Sequence, residues 1–232
     1  MNRRITNTIR FFMDECLPPF IRDNSIFMFP FFYFAYRGKK IKEVMDFKKN
    51  VYSFSEKDYD IFYNNLDTIS RNRATDLNQA SLSLILKTIP ADTEKLIDIG
   101  SGNGYLLKQI KKAYPKIGLS GFDIKDTDTA TEYSYIKGNI EALPFEDKSF
   151  DVVTCSHVLE HIIDVDKAIS ELKRITKKTL IIAVPCQRYY YYTLDEHVNF
   201  YPFKEKLIHT INIERYDCKK IHGDWLYIGT LS

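Results

Sequence analysis

The sequence predicts an α/β fold, a mostly parallel sheet with helices on both faces, and three observations carry that prediction. The first is a hydrophobic strand, a glycine turn and a helix start within twelve residues, from Leu96 through Gly100, Gly102 and Gly104 to Leu107. The second is a set of short apolar runs, Asp151 to Cys155 and Thr179 to Val184, too short for buried helices and rich in β-branched residues. The third is the amphipathic stretch between them, Asp166 to Ile175, with Ala168, Ile169, Leu172 and Ile175 on one face. At 232 residues the chain has room for one such domain with an elaborated end.

Residues 1 to 74 form an aromatic-rich N-terminal extension, expected to be a helical cap. Between Phe11 and Tyr36 there are ten aromatics, and residues 1 to 50 carry ten Lys or Arg against five Asp or Glu. The apolar run from Ile26 to Tyr36 is too short for a bilayer span, which needs about 20 residues. Packing on the core, peripheral membrane docking and a dimer surface all remain open for it. Phe54 to Leu66 is expected as helix. Arg71 and Arg73, candidates to meet an anionic substrate, precede a helix that sets Leu77, Leu84, Ile85 and Ile89 on one face.

Leu96, Ile97 and Ile99 suit a buried parallel strand, and three glycines let backbone approach a ligand without Cβ clashes. The helix after Gly104 offers unpaired N–H groups and a partial positive charge to a carboxylate or hydroxyl. The glycines fall as G-x-G-x-G, not as the G-x-G-x-x-G of a dinucleotide site. Asp123 closes a second strand, Ile117 to Asp123, about 20 residues after the loop, where an acid accepts ribose hydroxyls in such folds. The fourteen positions from Asp123 to Lys137 leave little room for a crossover helix.

The loop from Asp98 to Gly104, Asp123, the turn from Gly138 to Phe145 and the Phe-Asp-Val-Val of residues 150–153 together resemble the class I S-adenosylmethionine-dependent methyltransferases. The resemblance covers roughly residues 75 to 232. It implies a Rossmann-like seven-stranded sheet with an antiparallel last strand, an S-adenosylmethionine cofactor and methyl transfer to an acceptor. Carried over residue by residue, it makes Asp98, Gly100, Ser101, Gly102, Gly104, Ile124 and Ser156 cofactor-binding, with the Val-Leu-x-His phrase of residues 158–161 lining the methionine end. Asp123 falls at the ribose, and Asn139 and the Ile140 N–H at the adenine. An Asn at 139 otherwise caps a turn. The family's Pro-Gly-Gly turn before strand five is replaced by Thr176-Lys177-Lys178, read as a loop.

His157 and His161 stand four residues apart, a spacing that puts both on one face if the segment is helical. No further ligand set accompanies them, and no metal is expected. A sulfonium methyl needs only an in-line acceptor, with a base where the acceptor must lose a proton. Candidates lie after strands four and five. His197, in the segment Tyr189 to Tyr201, is the first choice for that base and His157 the second; the four tyrosines from Tyr189 can shape a polar or aromatic pocket. A helix from Phe203 to Ile211 and a hairpin turning at Gly223-Asp224 complete the chain.

The most plausible acceptor on this reading is an oxygen of a glycan or envelope precursor, a small-molecule or glycan substrate, with a lipid or quinone-like acceptor and a non-catalytic cofactor-binding scaffold as alternatives. A net charge of +2 disfavours a nucleic-acid partner. Cys16, Cys155, Cys186 and Cys218 show no C-x-x-C spacing and read as reduced thiols of a cytoplasmic protein. Asp14 and Glu15 interrupt what would be the apolar core of a secretory leader, and no transmembrane segment is expected.

Overall fold

A computed structural model describes residues 8, 11–65, 74–125 and 133–231. Its packing divides the chain into two compact units. One joins the described residues of Met1–Arg73 to Gln187–Phe200; the other joins the described residues of Ala74–Cys186 to those of Tyr201–Ser232. The segment 187–200, expected with the C-terminal domain, thus packs with the N-terminal unit. Arg71, Arg73 and most of the short connection between Asp123 and strand three lie outside the described residues.

The larger unit is a seven-stranded sheet. Its strands are β1 Lys95–Ile99, β2 Gly118–Asp123, β3 Ser134–Lys137, β4 Phe150–Ser156, β5 Thr176–Pro185, β6 Arg215–Ile221 and β7 Asp224–Thr230. The order across the sheet is β3-β2-β1-β4-β5-β7-β6, with β1 to β5 parallel and β7 antiparallel to both neighbours. Strand order reverses between β1 and β4, so the chain leaves the carboxyl ends of these neighbours in opposite directions and opens the crevice where α/β sheets bind ligands.

Alternate residues of each strand feed two cores. Ile97, Ile99, Val153, Cys155, Leu180 and Ile182 pack on one face with Leu172 and Ile175 of the helix Val165–Ile175. Leu96, Val152, Ile181 and Ala183 pack on the other with Ile85 of Gln79–Thr88 and Leu107 and Ile110 of Tyr105–Ala113. Each fully buried aliphatic chain contributes about 1.5–3 kcal/mol. Lys177 and Lys178 lie within β5 and not in a loop; both ammonium groups reach Asp151, at 3.8 and 3.3 Å, which offsets the charge that hid this stretch of strand. The hairpin turns one residue earlier than expected, at His222 and Gly223, both left-handed with φ of 46° and 95°, the geometry that matches strand twist. Asp224 is thereby drawn into β7 and fully buried. β6 is one edge of the sheet, and its exposed Asp217, Lys219 and Lys220 oppose edge-to-edge pairing.

In the smaller unit, helix α1 (Ser25–Ala35) is capped by the Asn24 side chain, which accepts from the Ile26 and Phe27 N–H groups. Helix α2 (Glu56–Asn65) follows three short helical turns. Met28 and Phe32 of α1 pack with Met13, Tyr36, Val44 and Tyr190. No described helix is long and apolar enough to cross a membrane.

Candidate functional site

β1 carries Asp98 into the sheet at the position facing Thr154 of β4, and the Thr154 hydroxyl donates to its carboxylate at 2.6 Å. Burial pushes the Asp98 carboxyl up to about 7, the Thr154 bond works the other way, and the Asp123 charge adds to the rise. Beyond β1 the backbone turns through Gly100, Gly102 and Gly104 with φ of 75°, 52° and 71°, a region side chains rarely adopt. The Gly100 and Ser101 N–H groups donate to the Phe122 carbonyl at 2.7 and 3.1 Å, tying the turn to β2.

The glycines have different reasons to be there. A Cβ on Gly100 falls 2.0 Å from Val158 Cγ2, and one on Gly104 falls 1.8 Å from the Tyr133 hydroxyl, so both are required by packing. A Cβ on Gly102 meets nothing within 4 Å. Gly102 is exposed, and its N–H donates to Asp123 Oδ2 at 2.8 Å. The other Asp123 oxygen accepts from the Lys125 N–H at 3.1 Å, with half-buried Ile124 between them. The Asp123 carbonyl accepts from the Gly138 N–H at 3.0 Å, which brings the Asn139 turn beside it.

Asn139 accepts from the Glu141 N–H at 3.0 Å, so it does cap a turn, and Ile140 is buried in the core, leaving its backbone as the polar element. The Ser101 and Ser156 hydroxyls are buried with no hydrogen-bond partner, a cost unless a polar ligand completes them. Asp98, Gly100, Ser101, Gly102, Gly104, Asp123, Ile124, Asn139, Ile140 and Ser156 therefore cluster around the carboxyl ends of β1, β2 and β4 and the start of the turn after β3.

His157 departs from its expected role. The residue is left-handed with φ of 57° and is followed by a short 3-10 turn, Leu159–His161, so His157 and His161 do not share a helical face. Nδ1 lies 3.3 Å from Glu160 Oε1 and Nε2 lies 3.7 Å from Asp224 Oδ2. Burial opposes a charge here, but Asp224 and Glu160 outweigh it and push His157 up to about 10. At neutral pH it is a counter-ion that already holds its proton, unsuited to accept one. Glu160 and Asp224 were not singled out in the sequence. Glu160 sits at helical spacing from His157, whereas Asp224 carries no local signal; Asn78 Nδ2 fixes its Oδ2 at 3.0 Å.

In the smaller unit, His197 Nδ1 pairs with Gln187 Oε1 at 2.6 Å and lies 3.5 Å from Asp195 Oδ1. An amide oxygen only accepts, so in this pairing Nδ1 carries a ring proton. Gln187 Nε2 in turn donates to the Tyr190 hydroxyl at 3.3 Å. Glu196, left-handed with φ of 53°, receives the Tyr36 hydroxyl, and burial pushes its carboxyl up to about 8. Lys48 donates to the Tyr190 carbonyl at 2.6 Å, with its ammonium 4.5 Å from the Phe200 ring centre. Burial pulls Lys48 down to about 7, against Asp195 and Asp23.

Residues 97–184 match the family described as a methyltransferase domain. That stretch of the chain is similar to methyltransferase domains. Over 108 residues it is 31% identical to an uncharacterized methyltransferase, YcgJ, of Bacillus subtilis, covering 42% of each chain. Over 126 residues it is 27% identical to the ubiquinone/menaquinone biosynthesis C-methyltransferase UbiE of Psychromonas ingrahamii, covering 47% of this chain and 49% of that one. The chain thus spans about half the length of these curated relatives or less. A solved structure from Thermotoga maritima, described as a SAM-dependent methyltransferase and possible histamine N-methyltransferase, superposes with a TM-score of 0.53 at 18% identity, over 65% of this chain and 87% of that one, which shows the shared fold. Members of the family use S-adenosylmethionine as methyl donor. The open Gly102 backbone and the unpartnered Ser101 and Ser156 hydroxyls suit such a polar, extended ligand.

Proposed function

We propose that the protein transfers a methyl group from S-adenosylmethionine to a small or medium acceptor. The observation that carries this reading is the pairing of an open Gly102 backbone with Asp123 at 2.8 Å, beside the buried, unpartnered hydroxyls of Ser101 and Ser156. When bound, S-adenosylmethionine supplies a methyl already activated on a sulfonium. Asp123 accepts the ribose hydroxyls, the Asn139–Ile140 turn receives the adenine edge, and the glycine backbone from Gly100 to Gly104 with Ser101, Ser156 and Ile124 encloses the remainder. Asp98, held by the Thr154 hydroxyl at the end of β1, completes the proposed cofactor site.

The acceptor we favour is an oxygen of a glycan or cell-envelope precursor. His197 is the proposed proton acceptor, its ring oriented by the pairing of Nδ1 with Gln187 Oε1. Similarity to the UbiE enzyme supports the second reading, a quinone-like carbon acceptor. Calorimetry with S-adenosylhomocysteine, followed by methyl-transfer assays on glycan precursors and on quinols, tests all of this. Absence of binding rejects the proposal; binding without turnover on either panel points to a scaffold. His197→Ala is expected to lower turnover about 10²–10⁴-fold with S-adenosylhomocysteine affinity kept. An equal loss of both removes His197 from the proposed role.

A further inference from the structure

Helix α1 is apolar on two opposite faces, and the packing of its own unit uses only one. Met28 and Phe32, at 0% and 1% exposure, point inward. Ile26, Phe29, Tyr33 and Phe34, at the i, i+3, i+7 and i+8 spacing of the other face, are 83%, 50%, 50% and 72% exposed. Leaving such a row in water costs free energy, and contiguous exposed apolar surface marks an interaction site. The chain then enters a tight turn in which Arg37, Gly38 and Lys40 are left-handed, and this turn displays Arg37, Lys39 and Lys40 in solvent, followed by exposed Lys42.

We infer that the outward face of α1 and the basic turn after it dock the protein onto an anionic lipid surface. The charge pattern selects this occupant. Aromatic side chains suit the boundary between headgroups and acyl chains, and cations at one end of the face complement anionic headgroups. At about 1.5 Å per residue the eleven-residue helix is about 16 Å long, roughly half a bilayer core, so it lies in the interface and does not span it. This inference stands apart from the methyl-transfer reading, since it rests on neither the glycine loop nor His197.

The test is co-sedimentation of the full chain with vesicles of phosphatidylcholine alone and of phosphatidylcholine mixed with phosphatidylglycerol. Binding is expected to the mixed vesicles and to fall with added salt. Joint Phe29→Asp and Phe34→Asp substitution is expected to weaken it about a hundredfold, and joint Arg37→Gln and Lys42→Gln about 25-fold, about fivefold per cation. Because these side chains are exposed, near-ultraviolet circular dichroism and S-adenosylhomocysteine binding should match the parent chain. The inference is overturned if the parent chain stays in the supernatant, or if the Phe29/Phe34 variant sediments as well as the parent. It is also overturned if the parent ignores vesicles but self-associates in sedimentation equilibrium through the same two residues, which makes the face an interface between copies.

Discussion

Asp123 Oδ2 accepts the Gly102 N–H at 2.8 Å, so the acid and the only glycine of the loop with open space on its Cβ side are fixed to one another before any ligand arrives. Asp123 closes β2 and is held on both sides. Its second oxygen is held by the Lys125 N–H, and its own carbonyl holds Gly138. Pre-set geometry of this kind lowers the ordering cost of binding.

Asp123→Ala removes a charged acceptor for both the loop and the ribose. Calorimetry should show S-adenosylhomocysteine binding weakened about 10–100-fold, the worth of a hydrogen bond to a charged group. Asp123→Asn keeps one acceptor oxygen and should lose less. Equal, unimpaired affinity in both variants would remove Asp123 from the site.

Gly100 and Gly102 should fail in different ways when changed to Ala. At Gly100 the new Cβ meets Val158 Cγ2 at 2.0 Å in a backbone already at φ 75°, so urea unfolding should report a loss of about 2–4 kcal/mol. At Gly102 nothing lies within 4 Å, and the stability loss should stay near the roughly 1 kcal/mol of left-handed strain. Its effect should appear in ligand affinity instead.

His157 links stability to pH through Glu160 and Asp224. Its folded-state pKa, about 10, lies above the ordinary 6.5, so the folded chain keeps a proton that the unfolded chain has released between those values. This contribution is complete below about pH 6.5 and is lost as pH rises toward 10. His157→Gln should flatten that decline in urea unfolding across the window. At pH 7 it should cost about 3–5 kcal/mol, because buried Glu160 loses its counter-charge. Adding Glu160→Gln should recover part of the loss.

Lys48 has the opposite sign. With the ammonium pulled down to about 7, the folded chain releases a proton that the unfolded chain keeps up to about 10.5, so stability rises with pH across that interval. Lys48→Met deprives the Tyr190 carbonyl of its donor, a loss of about 1–3 kcal/mol, and removes the buried charge together with its burial cost. The variant's deficit, from denaturation at several pH values, should therefore be largest near pH 10.5 and shrink toward pH 7.

Much of the larger unit was legible because its signals are local. A buried strand shows as an apolar run, a left-handed turn shows as glycine, and the amphipathic helix Val165–Ile175 shows as spacing. Thr176 to Lys178 was misread because the charges that suggest a loop are neutralised by Asp151 and Asp92, which lie 25 or more residues earlier in sequence. His157 was misread for a similar reason. Its spacing to His161 is helical, but the backbone is not, and the carboxylate that holds its second nitrogen, Asp224, arrives from the far end of the chain. Gln187 was not seen as the partner of His197, since nothing in the tyrosine-rich stretch marks one amide as buried.

The smaller unit is assembled from two stretches of chain, with the sheet's first five strands between them. A shortened protein beginning at Ala74 would therefore not be a cleanly excised larger unit. It would still carry Gln187–Phe200, now stripped of Met28, Phe32, Tyr36 and Lys48, with Tyr190 uncovered and Glu196 deprived of its Tyr36 hydroxyl. Exchanging the smaller unit would mean exchanging both stretches together, because neither is a complete building block alone.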